Sequence, residues 1–210
     1  MCRAQVWWPR FASGFVCLCL ALLAAGPAGA QMFHPAGPYT HPESQLVFPE
    51  ALGGVPRVSA YDYEPQHPGL GVSIKYSSDV PRIFADIYVF KAGQLRIPEG
   101  VDDPGVERMF AGAVADVRAM GEMGRYADVS LIATDSITLG DFPGARHALR
   151  ARFAYTLADG AVYSHVYGLA VHNHFVKLRF TYRRDQSEEA VRMLAAFLEG
   201  LGTVVGPNLQ

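Results

Sequence analysis

The chain has 210 residues, in which 18 Lys and Arg are set against 20 Asp and Glu, for a formal charge of −2. This balance excludes a broadly basic surface, so bulk charge predicts no affinity for nucleic acid or for an anionic membrane. The length suits one domain with a sizeable hydrophobic core.

The first thirty residues have the features of a secretory signal peptide. A basic start precedes the apolar run "FVCLCLALLAA", and small residues follow it. That run is too short for a comfortable transmembrane helix, and no later segment is long and uncharged enough to cross a bilayer. We therefore predict a cleaved signal peptide at 1–30 and a periplasmic or secreted mature chain without a transmembrane span. A lipid anchor on Cys17 or Cys19 is the less favoured alternative, because no small residue precedes either cysteine.

Cleavage would leave a chain without cysteine. Cys2, Cys17 and Cys19 all lie in the removed segment, so disulfides and thiol chemistry are excluded for the mature protein. Loss of Arg3 and Arg10 takes the basic residues from 18 to 16 against 20 acidic ones, which makes the formal charge −4. The mature fold must then depend on its hydrophobic core.

Residues 31–45 are predicted to form a flexible lead. The stretch "QMFHPAGPYTHPESQ" is rich in proline and polar residues and has neither the helical nor the strand period. His34 and His41 match no metal-binding spacing, so we interpret them as linker histidines rather than as a copper or zinc site. The folded domain is predicted at 46–204, followed by a flexible tail at 205–210.

Short strand patterns precede the first predicted helix. Alternating runs, separated by turn residues, predict strands at Arg57–Tyr63, Val72–Tyr76 and Arg82–Phe90. Asp103 then suits a helix N-cap and Pro104 the first helical position. The apolar residues that follow recur at helical spacing and form a stripe for packing on a sheet: Val106, Phe110, Ala113, Val114 and Val117.

Four more strands and a second helix complete the predicted order. The helix begins near Ser187, with two glutamates in its first turn. The strands are predicted at Val129–Leu139, Ala145–Leu157, Ala161–Val171 and His174–Arg183. Because strands and helices do not alternate strictly, we predict an α+β fold. It is a single domain in which two main helices pack on an antiparallel sheet of about six to eight strands.

The last three strands place five side chains of functional character on one face. Asp159–Gly160 and His172–Asn173 are predicted as tight turns, and counting outward from the first of them sets Arg152 opposite Tyr167. Directly opposed residues share a face of the sheet. The candidate ligand-binding group is therefore Arg152, Tyr163, His165, Tyr167 and Tyr182.

These five side chains are suited to a small aromatic or acidic ligand. Tyrosine combines apolar area with a polar tip, arginine stacks on rings or holds an anion, and histidine changes charge near neutral pH. The alternative interpretation is an aromatic core layer whose hydroxyls reach its rim. A register slip of one residue would separate the group.

A basic row lies on the opposite face of the last strand. Lys177, Arg179 and Arg183 alternate with apolar residues there. We interpret the row as a solvated strand edge, where cations discourage aggregation, rather than as an anion-binding site.

Common catalytic and metal-binding signatures are absent from the sequence. It has no helical His-Glu-x-x-His, no Gly-x-Ser-x-Gly, no phosphate-binding glycine loop and no paired cysteines. The His-Asn-His at 172–174 falls in a turn and lacks a third convergent ligand, so neither a metal nor a cofactor is predicted.

The overall pattern resembles the Mog1p/PsbP-like α/β sandwich over roughly 46–201. The resemblance is in the secreted start, the strands on both sides of a central helix, the long meander ending in "HFVKLRFTY" and the closing amphipathic helix. It implies a small non-enzymatic accessory or binding protein, whose partner here is an unknown envelope protein or a small ligand. Two alternatives stay open: a small periplasmic hydrolase that uses His165 with an unidentified acid, and a structural cell-envelope protein.

Overall fold

The structure, a computed structural model, describes residues 31–142 and 144–206. The predicted signal peptide at 1–30 lies outside the described residues, as do Pro143 and 207–210. The two helices are α1 (Pro104–Glu122) and α2 (Ser187–Val205). The strands are β1 (Gln31–Phe33), β2 (Tyr39–Thr40), β3 (Val47–Phe48), β4 (Ala51–Leu52), β5 (Val55–Asp62), β6 (Val72–Asp79), β7 (Arg82–Phe90), β8 (Ala127–Thr138), β9 (His147–Leu157), β10 (Gly160–Val171) and β11 (His174–Arg183).

The main sheet is antiparallel and has nine strands in the described part of the chain. Its order is β1-β5-β6-β7-β11-β10-β9-β8, with β4 paired to β5 beside this path, and β2 and β3 form a separate pair. The predicted α+β class, with two main helices on an antiparallel sheet, is confirmed. The sheet exceeds the predicted six to eight strands because the very short β1 and β4 also join it.

Each helix covers one side of the sheet. Asp103 caps α1 as predicted, since its carboxylate accepts a hydrogen bond from the Gly105 backbone N–H at 2.7 Å. This helix contacts β8, β10 and β11, whereas α2 contacts β4 and β11. Consecutive residues of β10 point to opposite faces of the sheet. Val166 packs in the hydrophobic cluster that includes residues of α1, and Tyr167 packs in the cluster that includes residues of α2.

A glycine lets α2 approach the sheet closely. Gly53, between β4 and β5, has a φ of 54°, and a Cβ there would lie 2.2 Å from the backbone nitrogen of Phe197 in α2. Glycine alone fits this contact because it has no side chain and adopts positive φ freely. The helix continues to the fully buried Val205, one residue past the predicted end of the domain. Among the described residues, no helix is long and apolar enough to cross a membrane.

The segment 31–45 is packed on the domain, so the predicted flexible lead is wrong. β1 pairs with β5 and β2 with β3, and His41 is only 5% exposed. Arg57 in β5 donates hydrogen bonds to the carbonyl oxygens of Pro35 at 2.9 Å and Phe48 at 2.7 Å. Pro35 lacks a backbone donor, but its carbonyl accepts from a side chain distant in sequence, which no local period reveals.

Candidate functional site

The β10–β11 hairpin has the predicted register. His165 lies opposite Phe180, and the whole ladder follows from the tight turn at His172–Asn173. Both turn residues have positive φ, 49° and 60°, as the favoured two-residue hairpin turn requires.

The β9–β10 hairpin differs from the prediction by two residues. Its turn is centred on Ala158–Asp159, and Gly160, with a φ of 130°, is already the first residue of β10. Arg152 consequently lies opposite His165 rather than opposite Tyr167. Because side chains alternate with a period of two, a shift of two residues leaves every candidate on the predicted face.

The five predicted residues, here called the aromatic–arginine cluster, form one continuous group. The His165 ring stacks between Tyr167 and Tyr182, with centroid distances of 6.2 and 5.7 Å. Each ring nitrogen lies 3.4 Å from one tyrosine hydroxyl, Nδ1 from that of Tyr167 and Nε2 from that of Tyr182. Tyr163 contacts Tyr182 at 5.9 Å between centroids.

Burial divides the cluster into a floor and a rim. Tyr167 is 0% exposed and Tyr182 4% exposed, so both belong to the core layer under α2. Arg152, Tyr163 and His165 are only partly buried. Any ligand would therefore meet the rim residues, while the two inner tyrosines support them from below.

Arg152 has an unmet hydrogen-bonding group. Its Nε is the one buried side-chain nitrogen or oxygen without a hydrogen-bond partner among the described residues. Arg150, two residues away on the same face, donates through Nε and Nη2 to Asp135 at 2.7 and 2.6 Å. A buried donor without an acceptor costs about 1–3 kcal/mol. Arg152 is therefore the position in the cluster where an added acceptor would be most stabilising.

The environment of His165 favours its neutral form. Burial lowers its pKa to about 4, and the cations of Arg150 and Arg152 act in the same direction. His165 therefore gains its proton at acidic pH and not near neutral pH, where the sequence analysis expected the change. Both ring nitrogens lie next to phenol hydroxyls, and Asp135 is engaged by Arg150. Among the described residues, no carboxylate is hydrogen-bonded to His165, the base of the hydrolase alternative.

The basic row on β11 is not a solvated edge, so this interpretation is wrong. β11 lies inside the sheet between β7 and β10. Arg179 Nη2 donates to the hydroxyls of Tyr155 at 2.8 Å and Tyr126 at 3.1 Å, and both tyrosines are buried beneath α1. Alternation of basic and apolar residues indicates two different faces, but only the strand order shows that β11 is interior, and only the packing of α1 shows that the face of Arg179 is covered.

The described residues also form a cavity that the sequence analysis missed, called here the loop-end cavity. It has a volume of about 260 Å³, and its polar lining includes His41, Glu43, Glu64, Lys91 and His174. The two histidine rings meet edge to face with centroids 5.2 Å apart. Each histidine was visible in the sequence, one in the proline-rich segment and one in the His-Asn-His turn, but no local spacing connects them.

The arrangement of these side chains does not form an evident metal centre. Within residues 31–142 and 144–206, no three His, Cys, Asp or Glu side chains converge in a way that would hold a metal ion. Glu43 instead accepts a hydrogen bond from Lys91 Nζ at 2.5 Å.

Comparisons with known proteins give similarity to solved structures and to no family model. No protein-family model matches the chain. No curated protein matches it either. Among solved structures, the chain is similar to PsbP from the cyanobacterium Synechocystis, with 12% sequence identity and a TM-score of 0.44. The match covers 88% of this chain and 95% of that one.

Proposed function

We propose that this chain is an exported, non-enzymatic accessory module. It binds a small ligand or a partner protein by holding a carboxylate of that ligand or partner at the rim of the aromatic–arginine cluster. Export is proposed from the signal-like segment at 1–30. The observation that carries the proposed ligand class is the buried Nε of Arg152, which has no acceptor among the described residues.

A carboxylate complements this position in charge and geometry. Arginine presents a planar fork of donors that matches a carboxylate, and such charge-assisted hydrogen bonds are stronger than neutral ones. Arg150 already shows this pairing on the same strand, where Asp135 occupies it in bidentate geometry. Arg152 forms no ion pair within the described residues, so its guanidinium is available to a carboxylate from outside the chain.

The neighbouring rings define the rest of the ligand. Tyr163 is partly buried, adjoins Tyr182 and has the Arg184 guanidinium 4.9 Å from its ring centroid, so an apolar or aromatic body attached to the carboxylate would meet aromatic side chains of the cluster. His165 is neutral and its ring nitrogens lie beside the hydroxyls of Tyr167 and Tyr182, so the charge that attracts the carboxylate comes from the arginine. A small aromatic acid and the carboxylate of a partner protein share this chemistry.

We expect benzoate to bind the purified protein and to stabilise it. Arg152→Gln should lower the benzoate affinity by at least about tenfold, because one charge-assisted pair contributes about 1.5–3 kcal/mol. Calorimetric titration measures the affinity, and benzamide is the neutral probe of the same shape. Arg192→Gln is the matched control, since Arg192 is exposed on α2 and, within the described residues, forms ion pairs with Glu188 and Glu189 alone.

The same variant separates binding from stability. Arg152→Gln should unfold at the wild-type denaturant concentration or a higher one, because it removes an unpaired buried donor and a cation beside Arg150. A peptide ending in phenylalanine, with its carboxylate free or amidated, tests whether a partner's carboxylate is preferred to the free acid. Equal benzoate binding by wild type and Arg152→Gln, or loss of folding in the variant, would contradict the proposal.

Tyr167 is not a suitable position for this test. Its side chain is fully buried among the residues under α2, so truncation would measure core packing rather than ligand contact.

A further inference from the structure

We propose that the loop-end cavity is a second binding site and that its ligand is a small primary amine. The cavity lies where the segment 31–45, the β5–β6 connection and the chain after β7 meet the beginning of β11. It shares no residue with the aromatic–arginine cluster, so the inference is independent of the proposed function.

The size of the cavity sets the scale of the ligand. Its volume of about 260 Å³ holds far more than one water molecule and falls slightly below the range typical of drug-sized ligands. Val89 and Phe90 supply an apolar wall beside the polar groups. A short alkyl chain carrying one polar end fits this combination.

The hydrogen bonds of His174 define its tautomer. Its Nδ1 lies 2.7 Å from the carbonyl oxygen of His172, and a carbonyl only accepts, so Nδ1 carries the hydrogen. In the neutral ring Nε2 then presents a lone pair. Burial lowers the pKa of His174 and favours that neutral ring at neutral pH.

This lone pair faces another acceptor. His174 Nε2 lies 3.7 Å from Glu43 Oε2, too far for a hydrogen bond, although the His174 side chain is only 4% exposed. Glu43 Oε2 already accepts from Lys91 Nζ and can accept a second hydrogen bond, whereas no donor to His174 Nε2 is found among the described residues. An ammonium group has three N–H donors and a positive charge, and it satisfies both at once.

Lys91 shows that an ammonium suits this carboxylate. Its Nζ donates to Glu43 Oε2 at 2.5 Å and thereby stands in for part of the proposed ligand. The second carboxylate of the cavity, Glu64, is held by the backbone N–H groups of Gly69 and Gly71 at 2.8–3.0 Å. With both histidines neutral, two carboxylates against one lysine leave the cavity one negative charge in excess, which a monocation balances.

The tautomers also distinguish an amine from a metal ion. His41 Nδ1 accepts a hydrogen bond from the Ser44 backbone N–H at 3.1 Å, so the neutral ring carries its hydrogen on Nε2. Metal coordination needs a lone pair from each imidazole. His41 offers none toward the cavity, and the pair therefore cannot hold a metal between their Nε2 atoms without a change of hydrogen bonding.

We expect n-propylamine to bind the purified protein near pH 7.5, while 1-propanol and propionate do not. Glu43→Gln should weaken n-propylamine binding by at least about tenfold, because it removes the charged acceptor. Lys91→Met should strengthen it several-fold, because it frees the same carboxylate from its internal partner. Isothermal titration measures all three affinities, and Glu199→Gln, an exposed position on α2, is the matched control.

The pH dependence provides a second readout. Amine affinity should fall on acidification, since protonation of His174 removes the lone pair and sets a cation against the ligand. The charged groups around the two cavity histidines are Glu43, Glu64 and Lys91, and the other titratable group near His174 is His172. Nα-acetyl-lysine methylamide, compared with n-propylamine, shows whether a protein lysine or a free amine fits better.

Folding of Glu43→Gln is checked by urea unfolding, and it is expected to be near wild type because the Glu43 side chain is 60% exposed. The inference is overturned if Glu43→Gln binds n-propylamine as well as wild type does, if propionate binds better than the amine, or if zinc binds and n-propylamine does not. Failure of benzoate binding leaves this result untouched, because the two sites share no residue.

Discussion

Arg179→Met is expected to lower the free energy of unfolding by about 3 kcal/mol, because it removes charge-assisted hydrogen bonds to two buried phenols. The guanidinium donates to Tyr155 and Tyr126 and lies 5.4 Å from the centroid of the Tyr126 ring. Methionine replaces the aliphatic stem but offers no donor, so both hydroxyls are left beneath α1 without this partner. Urea unfolding followed by circular dichroism measures the change.

Two further variants test the physical reason. Arg183→Met, on the same strand and face, removes only surface pairs with Asp159 and Asp185 and should cost less than about 1 kcal/mol. Adding Tyr126→Phe and Tyr155→Phe to Arg179→Met should restore part of the lost stability, since no buried hydroxyl is then unpaired. If Arg179→Met alone is as stable as wild type, hydration replaces the guanidinium and the buried network is not a source of stability.

Acidification from pH 7 to pH 4 is expected to destabilise the protein, with His165 alone responsible for up to about 3 kcal/mol. Burial lowers the pKa of His165 to about 4 in the folded chain. In the unfolded chain the pKa returns to about 6.5, so the unfolded state binds more protons between these values. Stability is therefore complete above about pH 6.5 and is lost as the pH falls toward 4.

His41 acts in the same direction and the same window. Its pKa is lowered to about 4, first by burial and then by the neighbouring His174. Carboxylates act at lower pH, since the hydrogen bond from Arg150 lowers the pKa of Asp135, whose contribution disappears only below the ordinary carboxyl range. The histidine contribution is thus separable from general acid denaturation.

Urea unfolding at several pH values between 7.5 and 4 measures this effect. His165→Asn should flatten the dependence of unfolding free energy on pH in that window, whereas His147→Asn, at an exposed position on β9, should keep the wild-type slope. A wild-type stability that stays constant from pH 6.5 to 4 would show that His165 is protonated in the folded state without cost.

Local features of the fold were predictable because they depend on residues close in sequence. Asp103 starts α1 through the capping hydrogen bond of its side chain, and Pro104 suits the first helical position because its ring fixes φ. His172–Asn173 adopts the positive φ values that set the β10–β11 register. The turn at Ala158–Asp159 shows the limit, since the glycine follows the turn and moves the ladder by two residues.

The candidate site was predictable to the level of its face and not of its depth. Side-chain alternation places Arg152, His165 and Tyr167 on one side of the sheet, and a register shift of two residues does not change that side. Only packing against α2 makes Tyr167 a core residue, whereas Arg152 stays partly exposed and keeps a buried Nε without an acceptor among the described residues. A sequence pattern does not indicate which residue of a face is covered, because coverage depends on where a distant helix lies.

The sequence by itself determined the fold class, the start of α1 and the phase of the C-terminal hairpins, because capping, turn geometry and side-chain alternation act over a few residues. The tertiary structure alone decided that β11 is interior and that Arg179, in the middle of the basic row, binds two buried tyrosine hydroxyls. It also brought His41 to His174 and created the loop-end cavity. Strand order and cavities depend on contacts between residues far apart in the chain, and no local period encodes them.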